Sequence, residues 1–178
     1  LIATTELNNV NLSDFNKFAR SIYNQNPSVV KSNTGGYQSA NLIDLPEMKE
    51  LSERLTKSIR PYVGYFQFKQ KPKMTNLWLN INNTKDYNIL HDHPQCKLSG
   101  VFYTNAPPDS GDLIFSNPVE TEHFFDNEEL NEFNLYNCGK YAVKPKNGMV
   151  VIFPSFLKHE VGPNLTKNRR ISFSFNFA

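Results

Sequence analysis

Eight short extended segments, separated by turn-forming residues, follow Lys73 and constrain the fold more than any other feature of the sequence. The segments are TNLWLNIN, YNILH, LSGVFYTN, GDLIFSN, YAVKP, MVVIFPS, KHEVGP and RRISFSFNF. The breaks between them include NNTKD, APPDSG, KPKNG and PNLTKN, which are rich in residues that favour turns. Eight such strands predict a jelly roll, or double-stranded β-helix, in which two sheets enclose a pocket.

The first 72 residues have a different pattern, which predicts helices ahead of the strands. An apolar stripe at helical spacing begins beside Ser13, the expected N-cap, and should end before Pro27. A second stripe follows Asp44 and Glu47, which have the spacing of a capping box. A run of helices followed by a run of strands indicates an α+β fold, and we expect the N-terminal helices to pack on one sheet.

The sequence predicts a single domain over residues 1–178. Its length and 39% hydrophobic content are enough for one core. We expect 1–72 to form a mainly helical support and 73–178 to form the double-stranded β-helix core. Residues 119–140 are polar and rich in Asn and Glu, so they are interpreted as an insertion between the fourth and fifth strands.

Charge and composition limit the partners that the chain is expected to have. The net charge of +2 is too small to indicate a nucleic-acid-binding surface, and the longest apolar run is too short to span a membrane. Cys96 and Cys138 lie far apart and belong to no recognisable motif, which favours reduced thiols and a cytoplasmic location. The abundant asparagine is compatible with an AT-rich genome, such as that of a phage.

The last strand has one polar and one apolar face, because alternate residues of a strand point to opposite sides. The polar face comprises Arg170, Ser172, Ser174 and Asn176, and the apolar face comprises Ile171, Phe173, Phe175 and Phe177. We expect the apolar face to pack beneath the helices and the polar face to line the pocket. A polar interior is costly unless a ligand or water satisfies it. The alternative is an edge strand whose polar face is in solvent.

Three of the four histidines are candidates for a metal site. His91 and His93 are two residues apart at a strand end, so both rings should lie on the same side. His159 follows the sixth strand, and the second and seventh strands are neighbours in a jelly roll. The three side chains should therefore converge, and neutral imidazoles suit Fe, Zn, Cu or Ni. The fourth histidine, His123, lies in the polar insertion and is expected to be exposed.

From residue 76 onward the sequence resembles the 2-oxoglutarate/Fe(II)-dependent oxygenase superfamily. It is most similar to the prolyl-4-hydroxylase-like branch and to uncharacterised bacterial and phage proteins within it. The matching stretches are WLNIN, YNILHDHP, LSGVFYTN, SGDLIF, VKPKNGMVVIFPSFLKHEVGPN and RRISFSFN. This resemblance implies an enzyme of the dioxygenase type, with Fe(II) as cofactor and 2-oxoglutarate as co-substrate, that hydroxylates a substrate C–H bond.

The resemblance also implies roles for individual residues. His91 matches the first histidine of the family's His-x-Asp/Glu motif, and His159 matches its distal histidine. Arg170 and Ser172 resemble the Arg-x-Ser pair that holds the distal carboxylate of 2-oxoglutarate, which a guanidinium can bind with two parallel hydrogen bonds. Relatives place auxiliary co-substrate contacts at two further positions, which are here Ser99 and Asn82. Tyr103 and Trp78 are interpreted as residues of the core or of the pocket wall.

The sequence departs from the family where it has His93 in place of a carboxylate. His93 is the favoured third metal ligand, because its spacing from the first histidine already gives the required geometry. Alternatively, Asp112 supplies a carboxylate from a strand near that of the distal histidine, or two histidines and small ligands complete the site. A neutral third ligand would leave the Fe(II) site one charge more positive. Asp92 is expected to face solvent or to stabilise the turn.

Two other functions are compatible with parts of this pattern. A cupin-like metalloprotein that does not use 2-oxoglutarate would need the histidines but not Arg170 and Ser172. A structural jelly-roll protein would need no metal, so its histidines would be incidental. The Arg-x-Ser pair favours the oxygenase over the first alternative, and the three histidines disfavour the second. The substrate is expected to be peptidyl or a small molecule.

Overall fold

The computed structural model describes residues 2–119, 130–132, 134 and 137–178. His123 and much of the predicted insertion lie outside these residues. Within them the strands are β1 (Ala3–Glu6), β2 (Asn33–Thr34), β3 (Tyr37–Gln38), β4 (Met74–Asn82), β5 (Tyr87–His91), β6 (Leu98–Asn105), β7 (Leu113–Ser116), β8 (Lys140–Val143), β9 (Met149–Pro154), β10 (His159–Val161) and β11 (Arg170–Phe177). The helices are α1 (Leu12–Gln25), α2 (Lys49–Ser58) and α3 (Arg60–Val63), with 3-10 turns at Pro46–Met48 and Gly64–Phe66.

The strands form two antiparallel sheets. One has the order β1-β9-β6-β11-β4-β3 and the other the order β2-β5-β10-β7-β8. The eight strands predicted from the sequence correspond to β4 through β11, and the two-sheet arrangement confirms the predicted jelly roll. Strands β1, β2 and β3 lie in the region predicted to be mainly helical, so that prediction was incomplete. They have two to four residues each, too few to show a period of their own.

Strand β11 is central, because it pairs with β6 on one side and β4 on the other. The alternative of an edge strand is therefore wrong. Its apolar face is fully buried in a cluster that includes Leu51 and Leu55 of α2. The Phe15 ring of α1 packs edge-on against Phe102 and Phe173, with ring centroids 6.1 Å and 5.9 Å away. The helices thus contribute side chains to the core on this face of the sheet, and the opposite face is left for a pocket.

The helix starts differ from those predicted. Asn11 caps α1, because its side-chain oxygen accepts a hydrogen bond of 3.1 Å from the backbone N–H of Ser13. Ser13 is therefore not the cap, although the helix ends before Pro27 as predicted. The capping box at Asp44 and Glu47 is also wrong, because the chain enters α2 through a 3-10 turn without a side-chain cap. In α1 a neighbouring residue with a good capping side chain takes the N-cap position, whereas α2 begins without any side-chain cap.

Two further observations concern the cysteines and the possibility of a membrane-spanning helix. Cys96 and Cys138 are both free thiols, in agreement with the absence of a disulfide motif. In the part of the chain that the structure describes, no helix combines the length and the apolar composition needed to cross a membrane.

Candidate metal centre and co-substrate pocket

A cavity of about 670 Å³ lies between the two sheets. Its wall on one side is formed by β4 and β11, whose inward-facing residues alternate with core residues. These lining residues are Asn76, Trp78, Asn80 and Asn82 from β4, and Arg170, Ser172, Ser174 and Asn176 from β11. The polar face of the last strand therefore lines the pocket, as its alternation predicted.

Three histidines converge on this cavity, two from strands of the facing sheet and His93 from the turn that follows β5. His91 at the end of β5 lies directly opposite His159 at the start of β10, because the two strands are antiparallel neighbours. Their ring centroids are 4.3 Å apart, and the ring of His93 lies 5.1 Å from each. One nitrogen of each ring lies within 4.8 Å of the others. The predicted convergence is therefore present, with all three imidazoles at one place in the pocket.

Backbone carbonyls orient two of these rings. The Nδ1 atom of His91 lies 2.8 Å from the carbonyl oxygen of Ile89, and Nδ1 of His159 lies 2.8 Å from that of Leu157. Since a carbonyl oxygen only accepts, each Nδ1 carries a proton and each Nε2 retains its lone pair. Metal-binding histidines typically have this arrangement, in which the second ring nitrogen is held by a carbonyl or carboxylate.

Burial keeps the three rings neutral. Desolvation lowers the pKa of His93 to about 3 and that of His159 to about 4, and it also lowers the pKa of His91. Among the described residues, no hydrogen-bond partner is present for the His93 ring, which lies 5.8 Å from the ring of Trp78. The hydroxyl of Ser32 lies 3.4 Å from Nε2 of His91 and can donate to its lone pair. Neutral imidazoles are suitable ligands for a first-row metal such as iron(II).

Two aspartates lie near this centre, and Asp112 is the alternative third ligand that the sequence offered. Asp112 precedes β7, and its carbonyl oxygen accepts a 2.9 Å hydrogen bond from the N–H of Gly162, three residues beyond His159. Three strand residues span about 10 Å. Its carboxylate is not part of the histidine cluster, which argues against Asp112 as the third ligand. Asp92 borders the cavity, and its charge partly offsets the lowering of the His91 pKa by desolvation, so it does not simply face solvent.

Arg170 is at the opposite end of the cavity wall and is 2% exposed. Its Nη1 atom donates hydrogen bonds to the carbonyl oxygens of Ser110 at 2.5 Å and Gly111 at 3.0 Å. No carboxylate of a described residue lies within 4.0 Å of its guanidinium. Desolvation lowers its pKa, with the nearby Tyr103 and two aspartates acting in the other direction. A buried cation without an ion pair is costly, which indicates a site for an anion.

Polar groups without partners surround this guanidinium. Arg170 pairs with Asn82 across the sheet, and Ser172 pairs with Tyr103. The side chains of these three neighbours line the cavity, and none makes a hydrogen bond to a described residue. Burial raises the pKa of Tyr103 to about 12, so its phenol remains a donor. Tyr103 was not predicted as a co-substrate contact, because its position next to the arginine depends on the strand register.

Ser99, which was predicted as an auxiliary co-substrate contact, lies far from Arg170. It pairs with Asn176, six residues along β11 from Arg170, a separation of about 20 Å along the strand. Its hydroxyl is 2.8 Å from that of Ser155 and donates a 2.8 Å hydrogen bond to the side-chain oxygen of Asn176. Ser99 therefore does not contact an anion bound at the arginine.

The family model described as "Putative 2OG-Fe(II) oxygenase" matches residues 76–176, more than half of the chain. The chain belongs to this family. It is therefore an oxygenase with iron(II) as cofactor and 2-oxoglutarate as co-substrate, as the resemblance implied. This membership favours the oxygenase over the two alternatives, a cupin-like protein without 2-oxoglutarate and a structural jelly roll. No protein in the set of curated proteins matches the chain.

Solved structures of such enzymes share the fold. The epimerase SnoN from nogalamycin biosynthesis has a TM-score of 0.72 at 16% identity, with 99% of this chain and 77% of that chain covered. HygX from Streptomyces hygroscopicus, with nickel, 2-oxoglutarate and hygromycin B bound, has a TM-score of 0.71 at 13% identity. The match covers 99% of this chain and 82% of HygX. A Pseudomonas putida prolyl-4-hydroxylase has a TM-score of 0.63 at 15% identity, and the match covers 99% of this chain and 91% of the hydroxylase. At these identities the likeness establishes the jelly-roll fold.

Proposed function

We propose that this oxygenase hydroxylates a C–H bond of a substrate that enters the cavity, with iron(II) held by His91, His93 and His159. One observation carries the proposal: the same cavity holds a cluster of three neutral imidazoles and, further along its wall, a buried guanidinium without an ion pair. A divalent metal suits the first group, and a carboxylate suits the second.

The three imidazoles divide into two kinds. His91 and His159 present Nε2 to the cavity, because backbone carbonyls hold their Nδ1 protons. His93 takes the position that relatives give to a carboxylate and brings no charge. When bound here, iron(II) supplies the oxygen chemistry that couples substrate oxidation to conversion of 2-oxoglutarate to succinate and carbon dioxide. With three neutral ligands the site is one charge more positive, which favours a dianionic co-substrate.

Arg170 is the proposed partner of the distal carboxylate of 2-oxoglutarate. The carbonyl oxygens of Ser110 and Gly111 hold its Nη1 atom, so the guanidinium is fixed in one plane before the anion arrives. Tyr103 and Ser172 add hydroxyl donors beside it. Hydrogen bonds to a charged group in a buried site are stronger than those between neutral groups, so this end of the cavity is suited to a carboxylate.

The rest of the cavity wall suits a substrate without a net charge. Gln38, Asn76 and Asn80 provide amide groups there, and Trp78 provides an aromatic surface. Apart from Arg170, the Lys, Arg, Asp and Glu side chains among the described residues that line the cavity are Lys31 and Asp92. Amides suit both a peptide and a hydroxyl-rich small molecule, so we propose a substrate from one of these two classes.

The assignment can be tested by anaerobic titration of the metal-free protein. Iron(II) is added first and 2-oxoglutarate second, while the visible absorption spectrum is recorded. We expect one iron per chain and then a charge-transfer band from the chelated co-substrate. Bound iron that gives no band would mean that the cavity binds a metal but not 2-oxoglutarate beside it. Failure to bind iron would contradict the proposed site.

A matched pair of variants separates His93 from Asp112 as the third ligand. His93→Ala should weaken iron(II) binding by more than the 10- to 100-fold that is typical for loss of a residue behind a ligand. Asp112→Asn removes the carboxylate that the sequence suggested as the alternative third ligand and should leave iron(II) affinity within about threefold of the original. A larger loss in Asp112→Asn than in His93→Ala would reverse the assignment.

A further inference from the structure

The turn between β9 and β10 contacts two of the three histidines. The carbonyl oxygen of Leu157 accepts from Nδ1 of His159 at 2.8 Å, and the carbonyl oxygen of Ser155 accepts from the backbone N–H of His93 at 3.1 Å. The turn itself is closed by a 3.0 Å hydrogen bond from Leu157 N–H to the carbonyl of Pro154. A displacement of this turn would therefore move the ring of His159 and the backbone of His93.

A buried polar chain attaches this turn to β11. The Ser155 and Ser99 hydroxyls are 2.8 Å apart, and Ser99 donates to the side-chain oxygen of Asn176 at 2.8 Å. A hydroxyl has one proton, so Ser99 must accept from Ser155. The chain thus runs in one direction, from the turn to the strand. Its members are 1%, 1% and 7% exposed, so water competes little for these hydrogen bonds.

His93 depends on this attachment more than the other two histidines do. The rings of His91 and His159 are oriented by carbonyl oxygens, whereas the His93 ring has no such bond to a described residue. Its backbone N–H donates to the carbonyl of Ser155, its carbonyl oxygen accepts from the N–H of Cys96 at 3.3 Å, and its ring contacts Trp78. The residue that replaces the family's carboxylate is therefore the least constrained of the three.

We infer that Ser155, Ser99 and Asn176 form a positioning chain that holds His93 at the third metal position. The inference rests on the proposed function, because it concerns the same metal site. It also gives Ser99 a role other than the co-substrate contact expected from relatives. Asn176 lines the cavity as well, so the chain connects the wall that faces the substrate to the turn that supports the ligands.

The experiment uses the full chain with cobalt(II), whose visible spectrum reports the number and arrangement of ligands. Ser155→Ala and Ser99→Ala each break the chain, and Ser155→Thr keeps the hydroxyl. The control is Thr104→Val, because Thr104 is also 1% exposed and its hydroxyl donates to a carbonyl at 3.3 Å, but it does not line the cavity. Urea unfolding of each metal-free variant shows that it is folded before titration.

We expect Ser155→Ala and Ser99→Ala to weaken cobalt(II) binding by about 10- to 100-fold and to change the spectrum. The double variant should be no weaker than Ser155→Ala alone, because both changes break the same link. Thr104→Val and Ser155→Thr should stay within about threefold of the original affinity. Unchanged affinity and spectrum in both alanine variants would overturn the inference and leave the metal site standing. Absence of cobalt binding by the unmodified protein would overturn the proposed function as well.

Discussion

The two faces of β11 have different roles: one contributes to the stability of the core and the other to ligand binding. The apolar face packs into the main core, where Phe173, Phe175 and Phe177 have no exposed surface. The polar face lines the cavity, with Arg170 at one end of the strand and Asn176 near the other. Neighbouring positions should therefore respond to substitution in different ways, with losses of stability on one face and of ligand binding on the other.

The largest expected effect is on the apolar face. Phe173→Ala removes a ring that packs against Phe15 and leaves a cavity, so it should lower the free energy of unfolding by about 3–5 kcal/mol. Ser174→Ala on the polar face removes only the acceptor of a hydrogen bond from Asn80 and should cost about 1 kcal/mol. Urea unfolding of the two variants measures the difference. Equal losses would contradict the division between the faces.

On the polar face, Arg170→Met should affect the co-substrate rather than the fold. Loss of hydrogen bonds from a charged donor is worth about 1.5–3 kcal/mol, so 2-oxoglutarate affinity should fall by about 10- to 100-fold. The metal affinity should remain unchanged, because the cluster that would hold the metal consists of the three histidines and a guanidinium is not a metal ligand. Calorimetric titration of iron(II) and then of 2-oxoglutarate distinguishes the two. A similar loss in both titrations would show that the arginine supports the whole cavity instead.

Gly100 tests how tightly the apolar face is packed against its neighbouring strand. A Cβ atom there would lie 2.4 Å from Cζ of Phe175 and 2.6 Å from the carbonyl oxygen of Val151. Gly100→Ala should therefore lower the free energy of unfolding by about 1–3 kcal/mol. Gly64→Ala is the matched control, because an added Cβ there meets nothing within 4 Å and the backbone is helical. The control should be neutral or slightly stabilising, and destabilisation of both variants would point to a general effect of the substitution.

The parts of the structure that the sequence predicted are those with a local signal. Alternation identified both faces of β11, and the spacing of His91 and His93 placed two imidazoles on the same side. The co-substrate end could not be predicted in full, because a register shift lies between Ile171 and Ser172 in the pairing of β11 with β6. This shift brings Tyr103 opposite Ser172, and no property of either residue indicates it. The phage origin suggested by the asparagine content stays a prediction.

The smallest expected effect concerns the Tyr103 hydroxyl. Tyr103→Phe removes one neutral donor beside Arg170, so 2-oxoglutarate affinity should fall by about 3- to 10-fold, equivalent to about 0.5–1.5 kcal/mol. Tyr141→Phe on β8, whose side chain is partly exposed and outside the cavity, should have no effect.

The pH dependence of this effect is a sharper test than its size. Burial raises the pKa of Tyr103 from about 10 to about 12, so the phenol keeps its proton and remains a donor throughout the range from pH 7 to 10. The ratio of affinities between the unmodified protein and Tyr103→Phe should therefore be constant over that range and should decline only as the pH approaches 12. A ratio that falls towards one by pH 10 would mean that the phenol titrates as it does in water. In that case the phenol of Tyr103 would be exposed to water instead of buried beside Arg170. The carboxylate would then be bound by residues of β11 without a hydrogen bond from Tyr103 of β6.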